Sequence, residues 1–215
     1  MSLKTDVQGF DISDKSAIVV GCGGLGTNAA VHLAGAGIGK LLLVDYDMVE
    51  ERNLNRQFLY TKNDAGKPKA RLLAERLGAY APEVDVAYHS GRFEGGLAAG
   101  FDVMIAAADN VATRREINAC SVNTGIPCVN GSINGFFGTA YLCIPGLTPD
   151  LEAAGCLEDP VKKNLSPSTT AAVIGALEAQ LAVDLFLGRV QSAGKLYIYD
   201  DNEIRALKIR SDGID

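Results

Sequence analysis

Five charged side chains between residues 45 and 110, in a fixed order, have the types needed to handle phosphate: Asp45, Asp47, Arg56, Lys69 and Asp109. Asp45 follows "GCGGLG" (Gly21, Gly23, Gly24 and Gly26 within it) at the distance where an acid ordinarily accepts bonds from a ribose hydroxyl. Glycines in such a turn let backbone approach a phosphate, and the helix that follows offers oriented N–H donors and a partial positive charge. The turn alone does not choose among NAD, FAD and ATP, and close helix–sheet packing would demand glycines as well.

The stretch "VDYDMVEERNLNRQF", residues 44–58, goes further. Asp47 lies two residues after Asp45, so on a continuing strand both face one side. Arg56 stands where its planar fork reaches phosphates over the glycine turn. "GKPK" puts Lys69 in the first turn of the next helix, a second cation aimed at the same region. One pyrophosphate is served by a helix N-terminus; two added cations match the larger charge of a triphosphate. Asp109 ends the run "VMIAAAD" at the carboxyl end of a strand, where open α/β sheets bind ligands. Opposite Arg56 and Lys69 it suits Mg²⁺ held between phosphate oxygens. It is equally suited to cap the helix begun by "VATRRE".

The elements that position these residues alternate. "AIVV" reads as a short buried strand, Ala29, Ala30, Leu33 and Ala34 recur at helical spacing, and "GAGIG" closes that helix before "KLLLV". "GKPKARLLAERLGAY" begins a helix near Pro68, "EVDVAYH" alternates as a strand, and "TRREINACSVNTG" reads as a helix. "IPCVNGSI" and "FGTAYLCI" form two strands about the "NGF" turn, the second antiparallel. Residues 145–168 contain four prolines and no period, which predicts a long crossover loop, and loops of that length in compact domains are usually functional. "TAAVIGALEAQLAVDLFLG" is a long apolar helix, and "KLYIYDDNEIRALKIR" a closing hairpin. The expected fold is α/β, one domain over 1–215, with a doubly wound, mostly parallel Rossmann-like sheet and antiparallel strands late in the chain.

Composition narrows the partners. The 215 residues are 47% hydrophobic and 21% charged, enough for a large core, and the net charge of −6 offers no basic footprint for nucleic acid. The N-terminus lacks the apolar segment of a signal peptide, the apolar runs break short of membrane-spanning length, and five scattered cysteines are expected to be reduced thiols. A cytoplasmic protein that neither spans a membrane nor binds nucleic acid is expected. His32 and His89 have no spaced partner and are expected to be structural or exposed.

Taken in order and spacing, "GCGGLG", "VDYDMVEERNLNRQF", "GKPKA" and "AADNVATR" resemble the ThiF/MoeB/HesA family of adenylyltransferases, bacterial relatives of ubiquitin-activating enzymes, over about residues 16–210. "NLNRQ" after "DxD" is the specific signal. The resemblance implies ATP- and Mg²⁺-dependent adenylation of the C-terminal Gly-Gly carboxylate of a small ubiquitin-like sulfur carrier, with ThiS-like or MoaD-like carriers as candidates. The zinc-free form leans towards the thiamine branch. It implies nucleotide contacts from Gly24 and Asp45, and a phosphate loop of Arg52, Asn53, Leu54, Asn55 and Arg56, continued by Gln57. Lys69 would face the leaving pyrophosphate, Asp109 with Asn110 would organise Mg²⁺ and nucleotide, and a homodimer is implied.

The chain also departs from that family. Cys156 stands alone where relatives carry the first of two CxxC pairs, so no structural zinc is expected. "VKKNLSPSTT" lacks the crossover cysteine that some relatives use covalently; Cys156 is either a substitute or a relic. No arginine precedes Arg52 to reach a partner's nucleotide. A regulatory member with weak chemistry, a tRNA-nucleoside dehydratase and an NAD-dependent oxidoreductase are the competing readings.

Overall fold

The computed structural model describes residues 10–158, 165–210 and 213–214. Five strands run parallel in the order β3-β2-β1-β4-β5: β1 (Ser16–Val20), β2 (Lys40–Val44), β3 (Asp85–His89), β4 (Val103–Ala106) and β5 (Cys128–Asn134). β6 (Phe137–Cys143), β7 (Lys195–Asp200), β8 (Glu203–Arg210) and β9 (Gly213–Ile214) extend the same sheet antiparallel beyond β5, as the sequence predicts. The chain winds outward in both directions from β1 and β4, so a crevice opens at their carboxyl ends.

Each face of the sheet has its own core. On one side α1 (Gly24–Gly35), α2 (Lys69–Tyr80) and α4 (Ser168–Phe186) bury Leu33, Leu73 and Ile174 against Val19, Leu43 and Val129. On the other, α3 (Val111–Thr124) sets Ile117 among Ile18, Met104 and Tyr141. The hairpin turn between β7 and β8 uses Asp201 and Asn202 at φ 47° and 64°, the twist-compatible turn that short polar residues tolerate.

Three expectations are corrected. β2 stops at Val44, so Asp45 and Asp47 lie beyond the strand and do not share a strand face. The expected loop 145–168 is partly core: residues 151–157 run as successive turns that bury Leu151, Ala154, Cys156 and Leu157 beside α3. α4, with 19 residues, is long and apolar enough by composition to cross a membrane, whereas no apolar run was expected to reach that length. Half of that stretch is buried, against α1, β5 and β6.

The α1–α4 crossing is close because Gly175 has no side chain; a Cβ there would lie 2.6 Å from Asn28 Cβ. One turn on, α4 buries Glu178 completely. Its carboxyl lies where a Gly131 side chain would be, and among the described residues neither oxygen has a well-formed hydrogen bond, the Gly131 backbone being its nearest polar neighbour. Burial holds its pKa well above the usual carboxylate range, opposed only in part by the Gly131 backbone. In the unfolded chain the group ionises near its ordinary 4.5. Between those two pKa values the folded state binds the proton that the unfolded state has lost, so stability is full below 4.5 and falls as pH rises. Glu178→Gln is therefore expected to stabilise the fold by about 1–3 kcal/mol at pH 7 and by little at pH 4. Denaturant melts at the two pH values check this; a variant less stable at pH 7 would show the carboxyl to be partnered.

Candidate functional site

A cavity of about 840 Å³ opens at the carboxyl ends of β1, β2, β4 and β5, and its floor is the glycine turn. The turn is held on both sides at Cys22. Its N–H donates to Asp45 Oδ2 (2.6 Å), and its carbonyl accepts from Tyr60 Oη (2.9 Å). Gly21 has φ +101°, and a Cβ on it would lie 2.6 Å from Ala107 O, so the turn grazes the end of β4. At Gly26 a Cβ would lie 1.7 Å from Gly21 O. Gly26 thus serves packing, while Gly21, Gly23 and Gly24 line the cavity.

Asp45 is buried and takes a second backbone donor, Asp47 N–H (2.8 Å), on Oδ1. Burial raises its pKa, with the Asp47 and Cys22 amides pulling the other way. A carboxylate has about four acceptor sites, so two backbone donors leave capacity for a ribose hydroxyl.

Lys69, the first residue of α2, is 4% exposed, and its Nζ lies 2.9 Å from Asp47 Oδ2. Its own N–H donates to Asp47 O (3.0 Å), so residue 47 anchors both ends of the lysine. Arg56 crosses the glycine turn: a Cβ on Gly24 would meet Arg56 Cγ at 3.2 Å. Arg56 donates to Asn55 Oδ1 and Asn53 Oδ1, while Arg52 donates to Glu50 Oε2 (2.6 Å), an acid that also accepts from Asn53. Behind this loop, Arg76 donates to Leu59 O and Asp64 and lies against the Tyr60 ring. That bracket fixes residues 57–64 and, through Tyr60, ties them to the glycine turn. Gln57 is 3% exposed, lines the cavity, and its Oε1 has no partner among the described residues, an acceptor suited to a ligand donor.

Asp109 is exposed and lines the same cavity as Lys69 and Arg56. The cap of α3 is Asn110, whose Oδ1 accepts from Thr113 N–H (2.9 Å), so the capping alternative for Asp109 is replaced by its neighbour. Asn110 also lines the cavity. Of the expected residues, Asp45, Asp47, Arg52, Asn53, Arg56, Gln57, Lys69, Asp109 and Asn110 converge there; Gly26, Leu54 and Asn55 are not part of its lining. Leu54 packs on the core instead, and Asn55 is exposed and accepts from Arg56.

The sequence reading missed two contributors. Tyr46, with the Arg92 guanidinium 4.6 Å from its ring centroid, walls the cavity next to Asp45. Arg114, 4% exposed, lines it from α3 and donates to Cys156 O. Arg114 lies one helical turn beyond Asn110, a signal a helical reading of "DNVATR" contained. All five cysteines are buried free thiols, and burial pushes Cys156 up to about 12, which disfavours a nucleophilic thiolate there. Both histidines are exposed. The segment compared with the covalent crossover loop, 161–170, lies partly outside the described residues, as do residues 1–9, where the missing arginine was sought. Among the described residues no three His, Cys, Asp or Glu side chains are grouped to hold a metal ion.

The fold is of the doubly wound α/β class, and its relatives make the chain an adenylyltransferase. The chain belongs to the ThiF family, whose model matches residues 6–212. It is 36% identical over 213 residues to the Escherichia coli sulfur carrier protein ThiS adenylyltransferase, covering 92% of this chain and 83% of that one. It is 34% identical to the Haloferax volcanii SAMP-activating enzyme E1 over 85% of this chain and 72% of the relative. It is 36% identical to the Drosophila grimshawi adenylyltransferase and sulfurtransferase MOCS3, of which it spans 48%. In fold it is similar to the crystal structure of E. coli MccB with MccA-N7isoASN, at TM-score 0.79 and 23% identity, covering 91% of this chain and 64% of that one.

Proposed function

We propose that the protein adenylates the C-terminal Gly-Gly carboxylate of a small ubiquitin-like sulfur carrier, ThiS-like or MoaD-like, using ATP. The observation that carries this is Arg56 lying across Gly24 at the floor of a cavity that Lys69 enters from the side. A nicotinamide dinucleotide has no use for both cations. In the proposed reaction a carrier carboxylate oxygen forms a bond to the α-phosphorus of ATP. The bond from that phosphorus to the bridging β-phosphate oxygen breaks, and pyrophosphate leaves with the electron pair. The carboxylate comes from the substrate, so no side chain need act as nucleophile.

The residues divide the work by position. Asp45 would accept a ribose hydroxyl while its second oxygen keeps the turn closed. Arg56, with its planar fork, would orient the phosphates, and Lys69, a compact charge, would take the negative charge growing on the leaving group. The site fits Mg²⁺ in the way that ion usually binds, through one or two carboxylates with the remainder from phosphates and water. Asp109 is the carboxylate that would hold it, and the ion would neutralise phosphate charge. Positioning and electrostatics are then the whole of catalysis. A homodimer in the cytoplasm remains part of the proposal on family resemblance.

Thermal melting with ATP–Mg²⁺, with NAD and without ligand tests the nucleotide. At 100 times its dissociation constant a ligand stabilises by about 2.7 kcal/mol. A shift with ATP–Mg²⁺ and none with NAD is expected, followed by carrier-dependent pyrophosphate exchange. A shift with NAD alone overturns the reading.

A further inference from the structure

Arg114 belongs to two structures at once. It lines the cavity, and its Nη1 donates to the carbonyl of Cys156 at 3.3 Å. Cys156 closes the turn segment 150–157, which packs Leu151, Ala154 and Leu157 into the α3-side core. One turn further along α3, Asn118 fastens the start of the same segment. Its Oδ1 accepts from Leu151 N–H (2.8 Å), and its Nδ2 donates to Asp150 Oδ2 (3.4 Å). Two residues on one helical stripe, 114 and 118, therefore clip both ends of the segment, and one of them also faces the ligand.

We propose that Arg114 couples the two: it holds the Cys156 carbonyl and an anionic group of the bound nucleotide together, so that nucleotide binding tightens segment 150–157. The physical basis is the guanidinium itself, which presents five donors in a rigid fork, enough for a carbonyl on one edge and a phosphate on another. At 4% exposure the fork is preorganised, and its charge acts where water is scarce. An anion bound to it fixes the guanidinium, and with it the carbonyl it carries. Coupling is reciprocal by linkage, so a secured segment also tightens the nucleotide. Arg114 is in this respect a positioning residue for the adenylation site, and the inference rests on the nucleotide reading given above.

Hydrogen exchange reads it directly at the amides of Leu151, Ala154 and Cys156, whose donors bond to Asn118 Oδ1, Asp150 O and Leu151 O. Saturating ATP–Mg²⁺ is expected to slow these amides about tenfold in the wild-type protein, a typical coupling. In Arg114→Gln the slowing is expected to vanish while calorimetry still detects ATP. Equal slowing in that variant overturns the proposal, as does wild-type protein that binds ATP with no slowing. Wild-type protein that binds no ATP by calorimetry overturns the nucleotide reading itself, and this inference with it. If Arg114→Gln fails to fold, Asn118→Ala takes its place: Asn118 does not line the cavity, yet linkage requires its loss to weaken ATP binding severalfold. Unchanged affinity in that variant overturns the coupling.

Discussion

Lys69→Ala is expected to lower the rate of adenylate formation by about 10²–10³-fold, the loss typical of removing one preorganised group that meets developing charge. Under the proposed mechanism this cation is ordered before the reaction begins. It is 4% exposed, so water screens it little; the Asp47 carboxylate offsets part of its charge, and residue 47 holds it at both ends. A flexible surface lysine would have to order itself as the reaction proceeds; this one is ordered beforehand. Stability should change much less than rate. The partner left behind, Asp47, has a side chain 47% exposed and regains water when the lysine is gone. Lys69→Arg should not restore activity, because a guanidinium is larger than the ammonium that the buried position accommodates. Carrier-dependent pyrophosphate exchange, with melting as the control, measures this. A fall below about tenfold in a folded variant would remove Lys69 from the mechanism, since one such group is worth more than that.

Gly26→Ala is expected to be the most damaging single methyl in the fold. A Cβ at this position would lie 1.7 Å from Gly21 O and 2.9 Å from Gly21 C, both backbone atoms. No side-chain rotation relieves such a clash; the turn must open. Opening it would break the Cys22 bonds to Asp45 and Tyr60, which join α1, β2 and the phosphate loop. We expect a loss of about 3 kcal/mol or more, at the upper end of overpacking costs. For a chain of this size that is roughly 6–12 °C in melting temperature. Gly78→Ala is the matched control: it lies inside α2 with nothing within 4 Å of the added methyl, and alanine there is expected to be neutral or stabilising by up to about 1 kcal/mol. A Gly26→Ala variant as stable as Gly78→Ala would show that the close approach to Gly21 does not constrain position 26.

These expectations show where sequence was sufficient. The alternation of buried runs and helical periods was enough to indicate a mostly parallel sheet with late antiparallel strands, because each period fixes which face an element can bury; the strand order itself came from the structure. That Gly21, Gly23, Gly24, Arg56, Lys69 and Asp109 would meet at one cavity was legible for a similar reason: along a βαβ unit, chain distance translates directly into position. The same logic failed just past β2. Periodicity says nothing about where a strand ends, and Asp45 and Asp47 turned out to serve different partners, the glycine turn and Lys69.

Only the tertiary structure decided the rest. Asn110 rather than Asp109 caps α3, a choice between two adjacent good cappers that backbone geometry alone makes. Leu54 and Asn55, inside the most telling motif, are not part of the cavity lining, because Leu54 packs on the core and Asn55 faces solvent, where it accepts from Arg56. Glu178 reads in the sequence as one polar residue of a long helix, and only the bare Gly131 opposite it explains how a carboxyl is buried there. The proline-rich stretch after β6 carries no period, yet residues 151–157 form core, since turns can bury apolar side chains one at a time without any repeat. Arg114 acquires its position from that same packing. Contacts made between residues 42 apart, such as Arg114 with Cys156, have no signature in local sequence. They exist because the folded sheet brings α3 and the crossover segment to one wall of one cavity.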